Sequence, residues 1–318
     1  METGGDIETP ILSAVVATYN RLPELRTMLD SLLPQILGRP VEVLIVDDCS
    51  TDSTWEWLRT NLAGTPGVRC LRMERNGGPG SARNLGLASA RGRCFVPIDS
   101  DFIVPEGAID HILQGIRDES RYHLLFFPNL HHPAMRRLDS LAGRCEITYE
   151  SFVTSRIGEL LPVAHLDFMR ANELAFPNLR AGGESLLWMR ILAAGGPALF
   201  LDTPVMYYRT DAAQRICTLE YQLNHPGDLA AIHDAMAALF CGDSSAAIRS
   251  ARGQSLLAAG TYHLLSGNMG IGRSRLVSAV VEGCWQAAPT LAASFGGSRI
   301  FSALFRFYRA KLSRAYLR

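Results

Sequence analysis

The fold is decided by an apolar strand that ends in two carboxylates spaced one residue apart, Val96-Pro97-Ile98-Asp99-Ser100-Asp101. Side chains at positions i and i+2 of a strand point the same way, so Asp99 and Asp101 are expected to converge on one hard cation. Such cations prefer oxygen ligands and are often held by one or two carboxylates together with substrate phosphates. The stretch therefore favours a site for a nucleotide diphosphate, although two acids after a strand also occur as ordinary loop caps.

Two earlier apolar runs, at 12–17 and 41–46, also end in polar residues that precede predicted helices. These endings are Thr18-Tyr19-Asn20 and Asp47-Asp48-Cys49-Ser50-Thr51-Asp52. Alternating strands and helices predict a parallel sheet, where ligands gather at the carboxyl ends of the strands. An Asp there can accept a hydrogen bond from a base or a ribose. The alternative is that Asp48, Ser50 and Asp52 cap the next helix, which is the preferred interpretation for Asp52.

A glycine-rich loop follows the third predicted strand, with the sequence Arg75-Asn76-Gly77-Gly78-Pro79-Gly80-Ser81-Ala82-Arg83-Asn84-Leu85-Gly86. The free N–H groups and the dipole of the helix that it opens favour an anion, and Arg83 could clamp a phosphate or steer a base. The loop lacks the Lys-Ser/Thr ending of a Walker loop. It also does not follow the first strand, as a dinucleotide-binding fingerprint would require. Those two kinds of site are disfavoured.

In order and spacing these motifs resemble the family 2 inverting glycosyltransferases with the GT-A fold, in which 99–101 is the DxD motif. The resemblance covers residues 10–215 and includes downstream segments at 182–190 and 205–209. It implies an α/β GT-A domain at 1–215, a nucleotide-diphospho-sugar transferase with a Rossmann-like mixed sheet and helices on both faces. The stretch 129–180 is expected to be irregular. Alanine-rich segments predict a helical C-terminal region at 216–318.

The resemblance also implies a role for each matching residue. The nucleotide sugar, of the UDP, dTDP or GDP type, would be bound by Ala17, Thr18, Tyr19, Asn20, Asp48, Arg83, Asp99 and Ser100. Asp48 would meet the base edge and Asp99 the ribose. Asp101 would hold a divalent metal, Mn²⁺ or Mg²⁺, which bridges the diphosphate and stabilises its growing charge as a Lewis acid.

Two positions depart from the family pattern. Inverting transfer needs a base for the acceptor hydroxyl, and the family's usual Asp is replaced here by Ser185. Glu184 is the candidate base; alternatively it caps a helix, a nearby Asp takes its place, or the protein is inactive. Where many relatives have a His after the Tyr-Arg segment, this chain has Asp211, which is either a metal ligand or a solvated loop acid.

Composition restricts the partners. The 318 residues are 47% hydrophobic, enough for a sizeable core, and 31 basic residues balance 31 acidic ones, so no overall field points to nucleic acid. Seven cysteines form no CxxC pair, which predicts a reducing cytoplasm rather than a disulfide framework. The acidic amino terminus is unlike a signal peptide, and no apolar run reaches the length of about 18 residues that spans a bilayer.

The segment 298–318 has six basic residues and no acid, with apolar residues at helical spacing. Two interpretations stay open: peripheral contact with anionic lipid on the cytoplasmic face of a membrane, or a helix packed on the core. The first would favour a lipid-linked or envelope polysaccharide (exopolysaccharide) glycan as acceptor.

The leading hypothesis is therefore a metal-dependent inverting glycosyltransferase acting on a hydroxyl acceptor. The alternative, motivated by Ser185, is a catalytically silent sugar-nucleotide-binding or scaffold protein of the same fold. A sugar-nucleotide nucleotidyltransferase would need a glycine-rich loop directly after the first strand, where Ala17-Thr18-Tyr19-Asn20 stands.

Overall fold

The structure, a computed structural model, describes residues 9–130, 143–154, 160–180, 182–208, 224–243, 245–298 and the single residues 301, 303 and 305. The chain divides into two compact units. One comprises Met1–Arg180 and Leu187–Gln214, and the other comprises Ala181–Leu186 and Arg215–Arg318. The expected domain boundary between residues 215 and 216 lies outside the described residues, so that boundary stays a prediction.

The first unit is built on a mixed sheet. Its described strands are β1 (Leu12–Thr18), β2 (Val41–Asp47), β3 (Val68–Arg72), β4 (Cys94–Asp99), β5 (Phe102–Ile103), β6 (Leu124–Leu130), β7 (Arg144–Ile147), β8 (Leu160–His165), β9 (Ala198–Leu201) and β10 (Met206–Tyr208). They follow the order β3-β2-β1-β4-β8-β6-β10-β5, and β9 pairs with β6 and β7. Strands β1 to β4 run parallel, whereas β8 enters antiparallel between β4 and β6.

Helices cover both faces of this sheet. They are α1 (Leu22–Ile36), α2 (Thr54–Asn61), α3 (Pro79–Ser89), α4 (Ala108–Asp118), α5 (Tyr149–Thr154), α6 (Leu166–Ala171) and α7 (Glu184–Gly195). Because successive strand residues face opposite ways, Val16 of β1 lies in one core and Val15 in the other. Helices α1, α2 and α4 close the first core, and α3, α6 and the part of α7 from Leu187 close the second. The predicted α/β architecture is confirmed.

Helix α1 shows how the sequence sets these layers. Pro23 occupies its first turn, where a missing N–H is harmless. Its buried residues recur at helical spacing: Leu25, Met28, Leu29, Leu32 and Ile36. That spacing places one apolar stripe against the sheet and directs the start of the helix to the carboxyl end of β1.

The expectation of an irregular stretch at 129–180 was wrong. Described parts of that stretch form β7, α5, β8 and α6, and β8 is a central strand of the sheet. Its apolar run is only six residues long and contains Pro162. A proline cannot donate to a ladder and argues against a central strand, so tertiary pairing with β4 and β6 overrides the local signal here.

The second unit is helical, as predicted. Its described helices are α8 (Pro226–Leu239), α9 (Ala246–Leu265), α10 (Met269–Val281) and α11 (Ala287–Ser294). Helices α9 and α10 approach closely at two glycines. A Cβ on Gly260 would lie 2.9 Å from the carbonyl oxygen of Gly272, and a Cβ on Gly272 would lie 2.9 Å from the carbonyl oxygen of Gly260. Within the described helices of the chain, none combines the length and the apolarity needed to cross a bilayer.

Asp234 connects three helices of this second unit. One carboxylate oxygen lies 2.8 Å from Nε2 of His263 in α9, and the other accepts a hydrogen bond of 2.7 Å from Nε of Arg275 in α10. The apolar cluster beneath includes Leu256, Leu264 and Leu276, and also Phe301. The unit thus has its own core and its own polar cross-links.

Candidate functional site

The polar endings of β1, β2 and β4 meet at one edge of the sheet, as predicted. In the parallel ladders Thr18 pairs with Asp47, and Ala17 pairs with Asp99. The Asp48 N–H donates to the carbonyl of Thr18 at 2.9 Å, so the loop after β2 starts against the end of β1. The carboxyl ends of these three strands form the candidate site.

Asn20 joins two of the loops. Its backbone is left-handed, with φ of 51°, a conformation that Asn tolerates better than most residues. Its N–H donates to Ser50 Oγ at 3.0 Å, and its Oδ1 accepts from the Thr51 N–H at 2.8 Å. The Asn20 side chain, which was predicted to contact the nucleotide sugar, therefore holds the loop after β2 against the loop after β1.

Asp52 behaves as the capping interpretation predicted. Its Oδ1 accepts a hydrogen bond of 2.9 Å from the N–H of Thr54, the first residue of α2. This satisfies one of the N–H groups that a helix leaves without an internal partner. Asp52 thus stabilises the start of α2.

Asp48 holds the glycine-rich loop. Its two carboxylate oxygens accept hydrogen bonds of 2.8 Å from the N–H groups of Gly77 and Gly78. Burial raises the pKa of the Asp48 carboxyl, and these two bonds oppose that rise. Each oxygen has a further lone pair, so the predicted contact with a base stays possible in addition to this positioning role.

The loop itself depends on a glycine at one position. Gly78 has φ of 85°, and a Cβ there would lie 2.9 Å from the Cα of Arg180. Pro79 then begins α3, and Asn84 one turn later both donates to and accepts from the backbone of Phe176, each bond 2.9 Å long. Sequence reasoning missed this clamp, because its two partners are 92 residues apart.

Arg83 and Asp99 form an ion pair at the start of α3. The Arg83 side chain is only 6% exposed, and its guanidinium lies 5.6 Å from the centre of the Phe176 ring. The Asp99 side chain is 40% exposed and stays accessible to a ligand. Arg83, which was predicted to bind a phosphate or a base, is thus held in place by Asp99, which was predicted to bind the ribose.

Asp101 pairs with a different arginine. β4 ends at Asp99, so Asp101 lies in the turn before β5. The prediction had assumed that both acids belong to the strand and point the same way, and that assumption was wrong. Its Oδ2 accepts a hydrogen bond of 2.8 Å from Nη1 of Arg21, which directly precedes α1. Burial, and then the neighbouring Asp99, raise the pKa of the Asp101 carboxyl, while Arg21 lowers it. The predicted convergence of the two acids on one cation stays a prediction. Ser100 between them is buried.

Thr18 carries a buried hydroxyl with no partner. The residue is 3% exposed, and its Oγ1 makes no hydrogen bond to any part of the chain that the structure describes. The next residue, Tyr19, is 41% exposed. An unsatisfied buried hydroxyl costs about 1–3 kcal/mol, and a hydrogen bond from a bound ligand or a water molecule would remove that cost.

The donor set at this edge fits a hard divalent cation. Asp99 and Asp101 offer carboxylate oxygens, and Mg²⁺ in proteins is commonly held by one or two carboxylates, with waters and substrate phosphates completing its shell. Across the described ranges no three His, Cys, Asp or Glu side chains form a complete metal centre. Asp211, the other expected ligand, lies outside the described residues.

Glu184 is exposed and is the first residue of α7, where the motif predicted a helix to begin. Residues 181–186, which include Glu184 and Ser185, are grouped with the helical unit, whereas the acids and arginines described above belong to the other unit.

Comparison with known proteins shows what the part of the chain that forms this site is similar to. The family model described as glycosyl transferase family 2 matches residues 13–129, which contain the strands and loops just described. The succinoglycan biosynthesis protein ExoO of Rhizobium meliloti (strain 1021) is 30% identical over 203 residues, which are 59% of this chain and 58% of that protein. The match thus spans less than two thirds of ExoO.

Solved structures share the fold. S. aureus TarS 1–349 in complex with UDP-GlcNAc has a TM-score of 0.66 at 18% identity, covering 94% of this chain and 92% of that one. The mannosyltransferase PcManGT from Pyrobaculum calidifontis, in complex with GDP-Man and Mn²⁺, has a TM-score of 0.59 at 20% identity, covering 98% and 85%. At these identities the likeness concerns the fold, and it confirms the GT-A prediction.

Proposed function

We propose that the chain is a member of glycosyl transferase family 2, whose model matches residues 13–129, and that it transfers a sugar from a nucleotide-diphosphate donor to a hydroxyl of an acceptor glycan. The observation that carries this proposal is the edge of the sheet where the carboxyl ends of β1, β2 and β4 bring Asp48, Asp99 and Asp101 to one side of the first unit. Ligands of open parallel sheets bind at the carboxyl ends of the strands, and carboxylates there can accept hydrogen bonds from a nucleotide or hold a cation.

The donor site follows from the chemistry of its residues. The Thr18 hydroxyl and the Tyr19 ring bind the nucleoside, together with Asp48 and with Ala17 and Asn20 of the loop after β1. Asp99, oriented by Arg83, accepts from the ribose, and the buried Ser100 contributes to the same site from the turn that follows. Asp101 holds a divalent cation, Mn²⁺ or Mg²⁺, with Asp211 as a further oxygen ligand. When bound, that cation stabilises the negative charge that grows on the departing diphosphate.

The reaction proposed is a single displacement with inversion at the anomeric carbon. The acceptor oxygen attacks that carbon as the bond to the diphosphate breaks, and Glu184 takes the hydroxyl proton. This role rests on the resemblance of 182–190 to the family's acceptor-side segment, in which Glu184 is the remaining acid.

The acceptor proposed is a lipid-linked or envelope polysaccharide glycan. Support comes from the name of ExoO, a succinoglycan biosynthesis protein. The donors in the two related structures, UDP-GlcNAc and GDP-Man, support a uridine or guanosine nucleotide, with dTDP as the other candidate.

The location proposed is the cytoplasm, at the face of an anionic membrane reached through 298–318. Phe301, near the beginning of that segment, is buried in the core of the helical unit. This supports the interpretation that the beginning of 298–318 packs on that core. We therefore assign the lipid contact to 306–318. Sedimentation with anionic vesicles checks this: a chain that ends at Phe305 should lose vesicle binding, and equal sedimentation of the two forms would contradict it.

The proposed chemistry is tested by Glu184→Gln. The amide is nearly isosteric but cannot take a proton, so we expect kcat for transfer to fall at least about 100-fold, the usual contribution of a general base. Affinity for the nucleotide should stay within about twofold, because the substitution changes no residue of the donor site. The measurement is nucleotide release in the presence of acceptor glycans, beside calorimetric binding. Unchanged transfer would remove Glu184 from the reaction.

A further inference from the structure

We infer that Arg21 is the resident counter-cation of Asp101, which it must release before a divalent cation can bind, so that the cation binds well only together with a diphosphate. This inference rests on the proposed function and adds a regulatory property to the same site. It concerns what happens before a donor arrives, when the carboxylates would otherwise be open to free cations.

The geometry places the guanidinium where a cation would lie. Nη1 of Arg21 is 2.8 Å from Oδ2 of Asp101, and the two side chains are only 19% and 13% exposed. An ion pair this sheltered from water is screened less than a surface pair. The backbone before Arg21 is fixed, because Asn20 is bonded to Ser50 and Thr51. The ion pair is therefore a built feature of the loop between β1 and α1.

The neighbouring pair provides a contrast. Arg83 is 6% exposed, belongs to helix α3 and packs over the ring of Phe176, so its guanidinium has little room to move. Its partner Asp99 keeps 40% of its side chain exposed. Arg21 instead precedes a helix and reaches Asp101 through a long side chain that can rotate. In the Arg21–Asp101 pair the arginine covers the acid, and rotation of its side chain can break the ion pair. The Arg83–Asp99 pair differs in both respects.

The energetic consequence is a coupling between cation and nucleotide. A divalent ion approaching Asp101 alone must break the ion pair and then lie near the positively charged guanidinium of Arg21, which repels it. A diphosphate reduces both the loss of the ion pair and the repulsion. Its oxygens can accept two parallel hydrogen bonds from the guanidinium, and its negative charge offsets the positive charge of the guanidinium. Arg21 then has a new partner when it leaves Asp101. By linkage, the nucleotide and the cation must increase each other's affinity by the same factor.

The test is binding of Mn²⁺ alone, followed by the free Mn²⁺ signal in electron paramagnetic resonance, for the full chain and for Arg21→Gln. We expect the substitution to raise the Mn²⁺ affinity without nucleotide about tenfold, because both the competing ion pair and the repulsion are removed. The factor by which a saturating nucleoside diphosphate increases Mn²⁺ affinity should fall by about the same amount.

A matched control is Arg39→Gln, which breaks an arginine–aspartate pair of similar length, to Asp110 on the surface, away from the site. It should bind Mn²⁺ as the wild type does. Arg21→Lys keeps the charge and serves as a second variant if the glutamine does not fold; it should stay within about threefold of wild type.

The outcomes separate the two proposals. Equal Mn²⁺ affinity of Arg21→Gln and wild type, or a tenfold gain in Arg21→Lys, would overturn the role of Arg21 even if the wild type binds nucleotide in a metal-dependent way. Absence of nucleotide binding by the wild type would instead overturn the proposed function.

Discussion

At the scale of single residues, Thr18 makes the most specific prediction. Its buried hydroxyl has no partner in the described chain, so Thr18→Val should leave stability unchanged or raise it, because an unsatisfied polar group is removed at nearly constant volume. Affinity for the nucleotide should fall about five- to tenfold, the worth of one hydrogen bond of roughly 1 kcal/mol. Thermal unfolding and calorimetric titration measure the two effects.

The control is Thr18→Ser, which keeps the hydroxyl and should retain nucleotide affinity. A valine variant that binds nucleotide as well as the wild type would show that the hydroxyl does not contact the ligand.

The sequence predicted the residues of this edge better than their contacts. Asp48, Asp99 and Asp101 were recognised because each follows an apolar strand. Their partners were not recognised: Asp48 bonds to the glycine-rich loop, and Asp101 bonds to Arg21, which is 80 residues away in the chain. Contacts of this kind depend on the order of strands in the sheet, which no local pattern encodes.

At the scale of secondary-structure elements, Glu42 connects the amino-terminal part of the sheet. Its carboxylate accepts from Ser13 Oγ of β1 at 2.6 Å and from Arg69 Nη2 of β3 at 2.7 Å, and also from the Arg91 N–H. Burial alone would raise the pKa of Glu42, but these bonds outweigh it and hold the pKa below the usual value of 4.5.

A depressed folded pKa means that this contribution to stability is complete above about pH 4.5 and is lost as the pH falls through the folded pKa. Glu42→Gln should therefore lower the free energy of unfolding by about 2 kcal/mol at pH 7, the range for hydrogen bonds to a buried charge. The difference should shrink below pH 4.5. Urea unfolding of both proteins at pH 7 and at pH 4 measures it, and an equal difference at both values would contradict the assigned network.

Helix α3 lies directly on β1, and Gly86 allows that contact. A Cβ at Gly86 would come within 2.3 Å of Cγ1 of Val15, a buried residue of β1. Gly86→Ala should therefore destabilise the protein by about 1–3 kcal/mol, as overpacking of a core does. Gly270→Ala in α10 is the control, because a Cβ there has open space, and it should be neutral or slightly stabilising. Equal effects of the two substitutions on urea unfolding would refute the close packing of α3.

Long elements with clear periodicity were predicted, and several short ones were missed. Strands β1, β2 and β4 and helix α1 have continuous apolar patterns, so the type of each element can be predicted from its own residues. β7, β8 and the short helices α5 and α6 have four to six residues each, too few for periodicity to establish their type. Their structure comes from pairing and packing with distant parts of the chain.

At the scale of the whole molecule, the sequence predicted the two kinds of architecture, a layered α/β part and a helical part. The domain limits 1–215 and 216–318 stay a prediction. The donor sugar and the acceptor could not be predicted, because the motifs behind the prediction concern the nucleotide and diphosphate that many sugar nucleotides share.

The central claim is that the edge formed by β1, β2 and β4 binds a nucleoside diphosphate together with a divalent cation. The most direct measurement is calorimetric titration of the wild type and of Asp101→Asn with UDP, dTDP and GDP, each with and without Mn²⁺. We predict selective binding of one nucleotide to the wild type, strengthened by Mn²⁺, and loss of that Mn²⁺ effect in Asp101→Asn. Absence of binding under every condition, or an Mn²⁺ effect unchanged in the variant, would contradict the account.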